Sequence, residues 1–156
     1  MYGFIVSRHG KAGCISGLTN SITILWLINF GLKDAILYTI LRSWISGFYF
    51  GFSFLTLTLS LSGGIMATLA MGISWKIFGR RGLLGTTGLG IIGAFFHNAG
   101  QLTAVYFVMT RNGSIFYQLP FMGIAALLFG SLAGAVVPLL NRILNKTDLP
   151  SVSFKP

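Results

Sequence analysis

The chain has 156 residues, 54% of them hydrophobic and only 8% charged, with a formal net charge of +9. A soluble domain clothes itself with about a quarter charged residues, so this composition excludes an ordinary globular protein and predicts an all-α integral membrane protein. Cys14 is the lone cysteine, which excludes an internal disulfide and a cysteine-based metal cage.

A helix needs about 20 apolar residues to cross a hydrocarbon core about 30 Å thick, and the chain offers several such runs in one domain. Residues 1–13 hold Arg8, His9 and Lys11 among too few apolar residues for a signal core or a span, and read as an N-terminal stub. The transmembrane domain covers residues 14–145, and a short tail follows over 146–156. The first span, 14–31, carries Ser16, Asn20 and Thr23 along one face. Gly31-Leu32-Lys33-Asp34 breaks the run. Asp34 falls near the start of the next helix, where a carboxylate favours the positive end of the helix dipole; that structural role is preferred to a catalytic one.

The second span, 35–51, places Arg42 near its centre, with Tyr38, Ser46 and Tyr49 on the same face. The third, 52–78, spaces Ser60, Gly64, Thr68 and Gly72 four apart and holds a Gly63-Gly64 pair. Small residues at that interval let helix backbones approach closely. Lys76, Arg80 and Arg81 end the run as its strongest charge cluster.

The fourth span, 88–108, buries three strongly polar side chains, His97, Asn98 and Gln101, in a run otherwise fit for lipid. Read as a helix, Gly90, Gly93, His97 and Gln101 follow at spacings of three and four, so one face is small and polar. Polar groups at membrane depth need partners, and this face is expected to meet helices or a cavity. Arg111-Asn112-Gly113 closes the span. The fifth, 115–144, has Pro120 early, Pro138 late and a GxxxG spacing at Gly130 and Gly134, a common signal that says only that it packs closely.

Cytoplasmic loops retain Lys and Arg, so the Lys76/Arg80/Arg81 connection is expected inside. Alternate spans then put Lys33 and the C-terminal tail with it, and leave Arg111 and the basic stub outside. A basic stub on the outer face is awkward. The charge balance therefore predicts a sixth helix missing ahead of Met1, or a stub that packs irregularly.

Four motifs in order carry a resemblance: Gly17-Leu18-Thr19-Asn20 opening a span; Ala35-Ile36-Leu37 with Ile40-Leu41-Arg42 and Gly47; Leu59-Ser60-Leu61-Ser62-Gly63-Gly64; and His97-Asn98-Ala99-Gly100-Gln101-Leu102. From Gly17 to Leu144 the chain resembles a small bacterial membrane family described as Gx transporter or heptaprenyl diphosphate synthase component I. That family is similar to the substrate-binding S components of energy-coupling-factor vitamin transporters. The resemblance implies a six-helix fold, here a bundle of about five helices lacking the first. It implies a multi-pass protein of the bacterial cytoplasmic membrane with a ligand pocket near the outer face. Members usually carry a Lys ahead of the Gly-Leu-x-Asn motif, where Ile15 stands here.

Chemistry limits the enzymatic readings. Prenyl elongation needs clustered carboxylates to hold Mg²⁺ against a diphosphate, and this chain has two acids, Asp34 and Asp148, far apart. His97 has no acidic neighbour in sequence to orient it, and no Gly-rich loop leads into Lys-Ser/Thr for ATP. No cofactor and no metal site is expected. The positive charge suits anchoring against anionic membrane lipid and not nucleic acid.

Binding and translocation remain. Arg42 at mid-membrane needs a cavity or a partner, and no buried acid is available. With His97, Asn98, Gln101 and Asn20 as hydrogen-bonding groups, a pocket for a small polar or anionic solute is coherent. The same side chains serve equally if they only tie helices together. The expected function is a substrate-binding subunit energised by separate ATPase and coupling membrane subunits. The alternatives are a non-catalytic membrane subunit of isoprenoid or quinone synthesis, and a structural subunit of a larger complex.

Overall fold

The computed structural model describes residues 20–49, 53–79 and 82–146. They form five α-helices and no strand: α1 over Asn20–Phe30, α2 over Leu32–Tyr49, α3 over Phe54–Phe78, α4 over Thr86–Val105 and α5 over Leu119–Lys146. Three segments are long and apolar enough to cross a membrane: Phe54–Phe78, Thr86–Thr110 and Gly113–Ile143. The stub over 1–13, Cys14, Gly17-Leu18-Thr19, Arg80, Arg81 and the tail beyond 146 lie outside the described residues. Helix α2 is the shortest of the fully described helices at 18 residues, and Lys33, Asp34 and Arg42 dilute its apolar character.

The helix ends follow local chemistry. Gly31 alone joins α1 to α2 with φ of +94°, a conformation that costs glycine little, and no atom lies near enough to oppose it. Asp34 lies in the first turn of α2, where its charge complements the dipole. Helix α4 continues as a π-helical turn over Tyr106–Thr110. Arg111, left-handed at φ 45°, then ends it, and its N–H donates to the Tyr106 carbonyl at 2.9 Å. The Asn112 side chain accepts from the Ser114 N–H at 3.1 Å and starts the 3₁₀ turn Gly113–Gln118 that leads into α5.

Helices α2 to α5 pack as successive antiparallel neighbours, and at each junction small residues set the distance. Gly64 of α3 faces Thr39 of α2, and Gly72 faces Leu32. Gly100 of α4 lies against the Ser62 carbonyl and Gly63 of α3. Between α4 and α5, Gly90 meets the backbone of Gly130, while Gly134 meets that of Thr86 and Thr87. A Cβ at Gly130 would stand 2.7 Å from Ile91 Cα, nearer than real Cβ contacts come, so this crossing depends on glycine. The small residues singled out in the third and fifth spans thus do lie at helix contacts.

Helix α1 completes the core. Its Ile24, Leu25 and Leu27 pack with Ala35, Ala67, Met71, Leu89 and Val137, flanked by Trp75, Leu84 and Leu140. Two contacts fix its flanks: the Trp26 ring stacks on Tyr38 of α2 at 5.7 Å, and Ser21 Oγ donates to the Ala133 carbonyl of α5 at 2.7 Å. Large apolar side chains such as Leu37, Phe48, Leu128, Leu132 and Leu139 face outward. An outside this apolar suits hydrocarbon, and its polar groups are turned inward.

Candidate functional site

The polar side chains at membrane depth gather where α3 has none. Helix positions 63 and 64 are adjacent and so point about 100° apart, one toward α4 and the other toward α2. Both are glycine. A Cβ at Gly63 would stand 2.8 Å from the His97 carbonyl oxygen and 2.9 Å from Gln101 Cγ; one at Gly64 would stand 3.7 Å from Arg42 Nη2. With no side chain on α3 at that level, Arg42 from α2 and His97 with Gln101 from α4 share the seam.

The two basic side chains are close enough for the guanidinium to act electrostatically on the imidazole. Arg42 also interacts with Tyr38, one turn away on α2. No acid balances it: among the described residues the acid is Asp34, exposed and eight positions back along α2, about 12 Å at 1.5 Å per residue. The His97 ring lies against Gly63, where a Cβ would stand 3.1 Å from its Cε1, and its Nδ1 is buried without a partner. A buried unmet polar atom costs about 1–3 kcal/mol, so the seam is left needing an anion for Arg42 and a partner for that nitrogen.

Hydroxyls line the α2–α3 side of this seam. Ser60 Oγ donates to Ser43 Oγ at 3.1 Å, and the Thr39 and Thr68 hydroxyls meet at 2.9 Å. Across the other side, Ser62 Oγ donates to the Gly100 carbonyl at 3.2 Å. These bonds hold α2, α3 and α4 in register around Arg42 and His97.

The remaining expected site residues are placed elsewhere. Asn98 follows His97 by one position and therefore turns toward α5, where its Nδ2 donates to the Met122 carbonyl at 3.2 Å. It lines a separate open cleft of about 560 Å³ with Tyr117, Gln118, Phe121, Met122 and Ala125. Asn20 is buried at the start of α1 as described. Sequence reasoning did not single out Asn29, whose two amide atoms are buried and unpartnered, or Asn141, whose Oδ1 is in the same condition. An amide inside an apolar run is the signal that marks both. Among the described residues no three His, Cys, Asp or Glu side chains group as metal ligands.

Comparison with known proteins gives one family. The family model described as heptaprenyl diphosphate synthase component I matches residues 11–140. No curated protein and no solved structure matches the chain.

Proposed function

The chain belongs to the heptaprenyl diphosphate synthase component I family, a non-catalytic component, and from that premise we propose that it is a membrane-embedded substrate-binding subunit for a small polar or anionic solute. The observation that carries this reading is the seam over Gly63-Gly64, where Arg42 and His97 approach one another with no described acid between them. An intramembrane cation marks a ligand or ion path more often than a packing contact. In this reading the solute's negative charge neutralises Arg42, and Gln101 and His97 read its polar edges. Asn98 and Asn20 have secondary parts. Separate ATPase and coupling subunits supply the energy, in a bacterial cytoplasmic membrane with the C-terminus inside.

Arg42→Gln tests it. Purified protein analysed by mass spectrometry is expected to retain a small molecule that the variant lacks, while insertion and melting stay close to the parent. Arg42→Lys is expected to restore binding only in part, because an ammonium lacks the planar fork of the guanidinium. Binding that falls only in step with the amount of folded protein would instead mark the seam as helix glue.

The family description favours a second reading equally: a membrane subunit that accompanies heptaprenyl diphosphate synthesis. Affinity capture from native membranes separates the two. A transport ATPase retained with the chain supports the first, a prenyl synthase the second.

A further inference from the structure

The open cleft between α4 and α5 stands apart from the Arg42 seam and has a chemistry of its own. Its volume of about 560 Å³ falls within the roughly 300–1,000 Å³ of pockets that hold small molecules. None of its lining residues, Asn98, Tyr117, Gln118, Phe121, Met122 and Ala125, is charged. An ion taken there would give up water without gaining a counter-charge, so the lining selects against charge. Aromatic rings supply the apolar walls. Tyr117 and Phe121, four positions apart, are 87% and 78% exposed, large rings that a flat partner can cover. The turn that carries Tyr117 and Gln118 is itself anchored, because Phe116 meets Tyr106 of the π-helical turn with ring centroids 5.7 Å apart.

The polar groups of the cleft are amides. The Met122 carbonyl can only accept, so its bond from Asn98 Nδ2 at 3.2 Å fixes which way the Asn98 amide is turned and leaves Oδ1 as its acceptor. Gln118, exposed just ahead of α5, adds a second donor and acceptor. We propose that this cleft is a binding site for an uncharged, flat-ringed molecule with an N–H or O–H edge, its ring covering Tyr117 and Phe121 and its edge on the Asn98 and Gln118 amides. The unbranched thioether of Met122 adapts to the outline of such a ring. A hydrocarbon of the same shape would leave the amides unmet, and an acid of the same shape would bring a charge with no partner.

Fluorine NMR of probes added to the full chain in detergent decides this. The probes are para-fluorobenzamide, para-fluorophenol and a fluoroindole. Two controls, para-fluorobenzoate and para-fluorotoluene, keep the ring but bring a charge or lose the edge. At least one of the three probes is expected to broaden saturably and to bind at least tenfold more tightly than either control. Ala125→Phe, which fills the cleft, is expected to abolish that binding, and Gln118→Ala to weaken it several-fold, while Arg42→Gln leaves it unchanged. Fluorotoluene binding as tightly as the probes would make the cleft a lipid-filled groove and overturn the proposal, and equal binding of fluorobenzoate would overturn it too. So would the absence of saturable binding by all three probes, or binding indifferent to both cleft variants. Binding lost in Arg42→Gln would assign the probe to the seam instead, so failure here and failure of the solute reading are told apart. Gln118 is exposed, and its variant keeps the comparison decisive even if Ala125→Phe does not fold.

Discussion

Thr39 and Thr68 touch hydroxyl to hydroxyl at 2.9 Å, and each also sits within reach of a carbonyl in its own helix, Ala35 at 2.8 Å and Gly64 at 2.9 Å. Two hydroxyl protons cannot serve three contacts. At any moment one hydroxyl donates across the interface and its own helix carbonyl goes without that extra bond. The pair is therefore a shared contact between α2 and α3.

Thr39→Val and Thr68→Val are each expected to destabilise by about 0.5–1.5 kcal/mol, the net worth of a typical buried hydrogen bond. The double variant is expected to cost less than the sum, since the second change finds the cross-helix bond already gone. Melting in a single detergent measures all four corners of the cycle, and additivity would show that the hydroxyls act independently.

Gly134→Leu is expected to lower stability by about 1–3 kcal/mol or more, the range for overpacking a tight contact, because the Thr86 and Thr87 backbone lies directly over the glycine. Gly85→Ala provides the contrast: nothing lies within 4 Å of a Cβ there. Equal melting temperatures for the two variants would refute the close crossing of α4 and α5.

Asn29→Leu is expected to leave stability unchanged or to raise it by about 1 kcal/mol, since both amide atoms are buried without partners and the substitution removes their desolvation cost. A melting temperature that drops instead would reveal a bound water or ligand group at that amide.

Leu83 and Tyr117 are highly exposed at opposite ends of the bundle, beside the α3–α4 and α4–α5 connections. With Cys14 replaced by serine, a thiol at Leu83 is expected to react only with reagent on the cytoplasmic side and one at Tyr117 only from outside, as the positive-inside rule requires of the Lys76 end. Labelling in the reverse pattern would invert the orientation.

The helices and their close contacts were legible because membrane burial writes itself into composition and into small residues at fixed intervals: Gly64, Gly72, Gly130 and Gly134 all lie where their spacing put them. Arg42 and His97 were legible as costly residues expected to serve one pocket, but not the glycine seam over which they lie. That depends on Gly63 and Gly64 facing different neighbours, a fact of tertiary arrangement that one helix does not contain. Asn98 illustrates the limit. A single step along α4 rotates it by about 100°, and whether that angle finds a cavity or α5 is decided by the position of Met122. The π-helical turn after Val105 was also out of reach, because Tyr106–Thr110 differs little in composition from the α-helix before it.

The bond from Ser21 to the Ala133 carbonyl joins residues 112 apart in the chain, and this gives the protein a clock. Synthesis proceeds at about 5–20 residues per second, so α1 leaves the ribosome roughly 10 seconds before its neighbour on α5 exists. The hairpin contacts of α2 with α3, and of α3 with α4, form between consecutive helices and can settle in order as each enters the bilayer. The α1–α5 seam closes last, and a ribosome that stalls within α5 leaves a nascent chain whose first helix has not yet found its place.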